Sequence, residues 1–262
     1  KNWAQERFLW IDDQFRKPPV FNQNGGIVDP SFELTITRAE PPYMYNFIDY
    51  NDTWSYLDNG TNQGTGWAAY DFYAHDSWPV GDGLFGFGRG DENTIINYGP
   101  DANNKYITTY FRKYFYIEHP ERVQTLTAKL LRDDGAVIRF NNGLFSTPPV
   151  ISSNMPGGRL TYTTLAASEV EGEDENTYFS YSIDPAFVVE GENILAIEVH
   201  LSSADTEDMA FDCTLEALIG YSPEPGILYY TTDGSDPRLH GGAVNPNAYI
   251  YTEPISFTET TH

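Results

Sequence analysis

Apolar and polar residues alternate with a period of two along most of this chain. Phe32, Leu34 and Ile36 share one face of a short segment. Ile107, Phe111 and Phe115 share a face of another, with Tyr106, Tyr110 and Tyr114 opposite. Leu195, Ile197, Val199 and Leu201 alternate cleanly, as do Met209, Phe211, Cys213, Leu215, Ala217 and Ile219. This period sends successive side chains to opposite faces of a strand, so each segment predicts a half-buried β-strand. Leu126, Ala128 and Leu130 lead into Asp133-Asp134-Gly135, and Asn141-Asn142-Gly143 closes the next strand, Ala136 to Phe140. Asp-Gly and Asn-Gly tolerate positive φ and are hairpin signals, so the two strands are expected to form a hairpin. The exception to the alternation is residues 2–16. There Phe8, Ile11 and Phe15 recur at helical spacing, bordered by Trp3 and Leu9, until Lys17-Pro18-Pro19 ends the pattern. The whole predicts an all-β chain with one short N-terminal helix. Many short strands at turn-punctuated spacing point to a sandwich or jelly roll.

Composition narrows the function classes. The 262 residues carry 15 Lys plus Arg against 38 Asp plus Glu, a net charge of −23. Such a surface repels nucleic acid and anionic membranes, and it suits an extracellular protein, a salty medium or a divalent-cation ligand. The acid excess also serves solubility by itself. The acidic stretch Glu169 to Asn176 is expected to be an exposed loop, either simply solvated or gathering cations. Cys213 is the single cysteine, so no internal disulfide forms, and its place in an apolar alternation predicts a small buried hydrophobe. No apolar run approaches the roughly 18 residues of a membrane-spanning helix. The chain opens inside what reads as a helix, so it is expected to continue from a preceding domain.

Two short segments near opposite ends belong together. Pro19-Val20-Phe21-Asn22-Gln23-Asn24-Gly25-Gly26, with the strand Phe32 to Thr37, resembles the opening of the fibronectin-type-III-like domain found at the C-terminus of chitobiases. Ile227 to Arg238, reading Ile-Leu-Tyr-Tyr-Thr-Thr-Asp-Gly-Ser-Asp-Pro-Arg, resembles a hairpin of the same family. That family keeps the two stretches close in sequence, whereas here Ala39 to Gly220 lies between them. The resemblance therefore implies an insertion, flanked by Pro41-Pro42 and Pro223-Glu224-Pro225 as stiff junctions. The expected divisions are residues 1–17, the tail of a preceding domain; 18–38 with 221–262, a split fibronectin-III-like sandwich; and 39–220, the insert.

The insert carries its own pattern. It includes Trp54 to Gly60, Trp67, His75 to Gly81, Phe85-Gly86-Phe87-Gly88, Tyr110 to Lys113, Asp133 to Val137, Asn154-Met155-Pro156 and Asn193 to His200. It resembles the galactose-binding-domain-like jelly rolls seen beside CotH-type and lamin-tail domains in secreted bacterial proteins. Members of that superfamily bind sugars, bind other ligands, or only space their neighbours. The resemblance implies a non-catalytic carbohydrate-binding or attachment module of a secreted or surface bacterial protein. Its partners would be a polysaccharide and the neighbouring domains of a larger chain, with no nucleic acid and no membrane insertion. The alternative is a structural spacer or protein-interaction module without a sugar ligand.

Sugars present apolar C–H faces, so their binders stack them on exposed aromatics and hold the hydroxyls with polar side chains. Tyr70, Tyr73 and Tyr98 lie in loop-like stretches and are the candidate platforms, with Phe72 beside them. Trp54, Trp67 and Trp78 serve either as core or as platforms. Asp133 and Asp134 are candidate calcium ligands, because Ca²⁺ takes carboxylate oxygens at a flexible turn, with Asn141 and Asn142 as companions. The competing reading is a plain turn whose Asp side chains cap backbone amides. Glu198 and His200 share one strand face, a spacing that suits a metal or an acid–base pair and is also common in strands. No nucleophile elbow, zinc-binding H-E-x-x-H or phosphate loop occurs, so no catalytic residue is assigned.

Overall fold

The structure is a computed structural model that describes residues 20–23, 31–37, 42–64, 66–72, 77–141, 149–220, 227–239 and 243–256. The chain is all-β, and its contacts divide it into two compact units. One comprises Lys1–Pro41 with Tyr221–His262, the other Pro42–Gly220. The helix expected over residues 2–16 lies outside the described residues.

The strands begin with β1 (Val20–Phe21), β2 (Glu33–Leu34) and β3 (Ile36–Thr37). Next come β4 (Tyr43–Ile48), β5 (Thr53–Leu57), β6 (Val80–Asp82), β7 (Phe85–Phe87), β8 (Thr94–Ile95) and β9 (Thr108–Ile117). They continue with β10 (Val123–Asp133), β11 (Gly135–Phe140), β12 (Ile151–Ser153), β13 (Phe179–Ile183), β14 (Gly191–His200) and β15 (Met209–Ile219). The last described strands are β16 (Tyr229–Tyr230), β17 (Tyr249–Ile250) and β18 (Ile255–Ser256).

The smaller unit joins segments from both ends of the chain. β1 pairs with β3, and β2 pairs with β18 through Leu34 opposite Ile255. The Ile36 amide donates to the Tyr251 hydroxyl at 3.1 Å, and the Ile36 side chain is buried. Within the stretch that resembles a hairpin, Asp233-Gly234 makes a tight turn, with Gly234 at φ 78° and the Asp233 carboxylate accepting the Ser235 amide. β16 nevertheless pairs with β17, well beyond that turn.

The larger unit is a β-sandwich of two six-stranded sheets. The front sheet runs β13-β10-β15-β7-β8, with β4 also against β15; the back sheet runs β12-β11-β14-β9-β5-β6. β15 is long enough to serve two neighbours, pairing β7 along Met209–Phe211 and β4 along Leu215–Ile219. Its inward residues, Met209, Phe211, Cys213, Leu215, Ala217 and Ile219, all join one core cluster. Trp54 and Phe111 from the back sheet meet Phe85 and Phe211 from the front, with Phe111 stacked on Phe211 at 4.0 Å. Full burial of each such side chain stabilises the fold by about 1.5–3 kcal/mol.

The expected hairpin at Asp133-Asp134-Gly135 is not one. β10 belongs to the front sheet, where Asp133 faces Ala210, and β11 belongs to the back sheet, where Gly135 faces His200. The turn therefore carries the chain from one layer to the other. Its hydrogen bonds explain the difference. The Asp134 carboxylate accepts the backbone amides of Val170 at 2.8 Å and Ser202 at 2.6 Å, and its carbonyl accepts from the Asn154 side-chain Nδ2 at 3.1 Å. A Cβ on Gly135 would lie 2.6 Å from Met155 Sδ and 2.8 Å from the Asn154 carbonyl, so glycine is required by close approach.

Candidate functional site

β14 is the centre of the back sheet, and both of its faces are buried. Leu195, Ile197 and Val199 face the sandwich interior. Ala196, Glu198 and His200 face outward, yet all three are also buried. Pairing carries this outer face across neighbouring strands: Tyr110 lies opposite Glu198, Arg112 opposite Ala196, and Arg139 opposite Ala196 on the other side.

Two chain excursions cover this face. The first brings Trp67 and Ala68 down onto Tyr110, Ala196 and Trp78. Arg112 holds it: the guanidinium donates to the carbonyls of Trp67 and Ala69 and to the Tyr114 hydroxyl. Burial pulls the pKa of Arg112 down, with the nearby Tyr114 opposing that shift. The second excursion, around Arg159–Thr164, is held from below. Thr108 Oγ1 donates to the Tyr162 carbonyl at 2.7 Å, and His200 Nδ1 lies 2.8 Å from the Thr164 carbonyl. A carbonyl only accepts, so it places the imidazole proton on Nδ1. His200 Nε2 is then left buried without a hydrogen-bond partner, 3.8 Å from Glu198 Oε2.

Between the excursions lies a cavity of about 110 Å³. Tyr110, Arg139 and Glu198 form its floor, Asn62 and Gly64 one wall, and Arg159 and Tyr162 the other. Arg139 and Glu198 pair at 3.4 Å with side chains only 12% and 8% exposed. The Tyr110 hydroxyl is pushed up from its ordinary pKa, first by burial and then by Glu198, so it stays protonated. Ion pairs this deep add little net stability, because desolvation offsets their attraction. The floor thus presents fixed guanidinium donors, carboxylate acceptors and a phenol to whatever enters. Such a set matches a hydroxyl-rich ligand.

The sequence candidates fall elsewhere. Tyr70 is 47% exposed and packs edge-on against Tyr114, with its hydroxyl donating to Glu192 at 2.9 Å. Tyr98 is 37% exposed and packs on Phe87, with Lys105 Nζ 5.5 Å from its ring. Neither lines the cavity. Tyr73 lies outside the described residues, as does Asn142. Trp54, Trp67 and Trp78 are all buried. Asn141 caps the end of β11, accepting the Ile194 amide at 2.7 Å and donating to the Phe187 carbonyl at 2.9 Å. The floor residues Tyr110 and Glu198 sat in plain alternation in the sequence. Only the Glu-x-His spacing on β14 hinted at a polar outer face.

Asp133 stands apart from this cleft. It is buried, one of its oxygens has no hydrogen-bond partner, and its pKa is raised to about 8. Burial is the main cause, followed by the charges of Asp208 and Asp134. Asp208 is itself pushed up, by burial and then by Glu175. Arg89 pins the acidic turn Gly172–Asn176 alongside, donating to the Glu175 carbonyl and to Asn176 Oδ1. Among the described residues no three His, Cys, Asp or Glu side chains are grouped as a metal site. Nor, among them, is any helix long and apolar enough to cross a membrane.

The family described as "Fn3 associated" matches residues 222–262. No curated protein matches the chain. Solved structures are similar at low identity. A β-glucuronidase from Bacteroides uniformis is 13% identical over 84% of this chain and 27% of its own, with a TM-score of 0.43. A glycosyl hydrolase family 2 member from Bacteroides cellulosilyticus is 16% identical over 72% of this chain and 23% of its own, at 0.40. A β-glycosidase from Bacteroides vulgatus is 14% identical over 65% of this chain and 20% of its own, at 0.36. The chain thus spans less than a third of the length of each of these three proteins.

Proposed function

We propose that the larger unit is a non-catalytic carbohydrate-binding module of a secreted or surface bacterial protein, and that it takes its glycan in the cleft over the back sheet. The observation that carries this reading is the cleft floor, where the buried Arg139–Glu198 pair and Tyr110 offer donors and acceptors to sugar hydroxyls. Tyr162, 37% exposed on the wall, supplies an aromatic surface for a C–H face. The net charge of −23 suits an extracellular setting. Neighbouring domains of a longer chain complete the partners; nucleic acid and membrane insertion are not among them.

Calcium belongs to the same proposal. The fit rests on Asp133, whose unpartnered buried oxygen is available to a cation. Asp134 already accepts two amides and fits the capping role better. A cation at Asp133 would replace the proton that it holds up to about pH 8.

The spacer reading has one observation in its favour, the burial of Trp54, Trp67 and Trp78, which leaves none of these three as a platform. Affinity electrophoresis of the whole chain through a panel of polysaccharides, with and without calcium, separates the two. We expect retention on at least one polymer. Tyr162→Ala should weaken it by up to about tenfold, the upper end of the roughly 0.5–1.5 kcal/mol of an aromatic contact, while Tyr98→Ala leaves it unchanged. No retention on any polymer in either condition overturns the binding reading and leaves the spacer.

A further inference from the structure

We propose that the ligand of this cleft is an acidic sugar whose carboxylate or sulfate group sits against Arg159. The inference rests on the carbohydrate-binding reading above and names the chemical class of its ligand.

Acidic side chains outnumber basic ones 38 to 15, so a cation on this surface finds a partner readily. The described Lys and Arg residues follow that expectation. Arg89, Lys113, Lys129, Arg139 and Arg238 each face a carboxylate. Lys105, Arg112 and Arg122 hold backbone carbonyls, and Arg132 bonds Ser153. Among the described residues Arg159 alone has neither a hydrogen bond nor an ionic partner, and it lines the cleft.

The remaining charges agree. Glu198 on the floor is matched by Arg139 at 3.4 Å, so its carboxylate does not oppose an incoming anion by itself. Two guanidiniums against one carboxylate leave the lining with one positive charge in excess. A guanidinium offers a planar fork of donors that fits a carboxylate or a sulfate. The protein's overall negative charge opposes a polyanion at long range. At physiological salt, however, screening acts over about 8 Å, and the groups within the cleft decide the contact.

The test compares polymers that differ only in the acidic group. The whole chain is run by affinity electrophoresis at 0.15 M salt through polygalacturonate, alginate and hyaluronan, each native and carboxyl-reduced, and through dextran sulfate against dextran. We expect at least one acidic polymer to be held about tenfold more tightly than its neutral counterpart. The uronate and sulfate arms tell the two anions apart. Arg159→Gln should bring that ratio close to one without abolishing binding to the neutral polymer, and Arg159→Lys should keep part of it. Arg159 is exposed, so neither variant threatens the fold, which a melting curve checks. Equal retention of both members of every pair, or an unchanged ratio in Arg159→Gln, overturns this inference and leaves glycan binding standing. Retention on none overturns both.

Discussion

The two faces of the back sheet are both buried, by opposite means. On the inner face Phe111 stacks on Phe211 within a contiguous apolar cluster, and the driving force is removal of apolar surface from water. On the outer face Arg112, Glu198 and His200 are as inaccessible as the core, yet they are polar and partnered by carbonyls, a carboxylate or a guanidinium. The inner face determines that the unit folds. The outer face is costly to bury and only partly satisfied, which is the pattern expected where structure serves binding.

Substitutions on the two faces should differ in their cost to stability. Phe211→Ala removes the centre of the aromatic stack and should cost about 3–5 kcal/mol, read from chemical denaturation. Glu198→Ala should cost about 3 kcal/mol, because it removes the buried carboxylate that pairs with the largely covered Arg139 guanidinium. Replacing both, as Arg139→Met with Glu198→Leu, should restore stability to within about 1 kcal/mol of the parent while abolishing glycan retention. If the double variant stays as unstable as the single one, the pair is structural and the contrast between the faces fails.

A smaller effect concerns pH. Asp133 has a folded pKa near 8, above its unfolded value, so the folded state binds the extra proton between about pH 4 and 8. Stability from this group is therefore present at low pH and falls as pH rises through that window. Asp133→Asn should flatten the decline and raise Tm at pH 8 by about 2–4 °C, the shift of roughly 1 kcal/mol in a unit of this size. Calcium should raise Tm of the parent at pH 8 and leave that of Asp133→Asn unchanged.

Much of the inner face was legible in the sequence. The alternation of Met209 to Ile219 and of Leu195 to Leu201 assigns inward residues directly, and Cys213 is buried as expected. The outer face was not legible, because a period of two tells which side a residue takes and not what lies over it. Glu198 and His200 read only as two polar residues on one strand face, and the residues that cover that face lie far away along the chain. The turn at Asp133-Asp134-Gly135 misled for a related reason. Asp-Gly chemistry is local and serves a hairpin or a layer crossing equally, and the choice depends on the distant amides of Val170 and Ser202. Arg159 carries no local signal at all, since its isolation is a property of the folded surface.

The Asp134 carboxylate has a kinetic consequence. Its two oxygens take amides 36 and 68 residues away, and its carbonyl holds Asn154 from a third loop. Opening any one of these loops exposes the same buried carboxylate, so the three behave as one cooperative unit. In hydrogen exchange the amides of Val170 and Ser202 should lose protection together, at one rate and with one dependence on denaturant, although nothing in the covalent chain ties them.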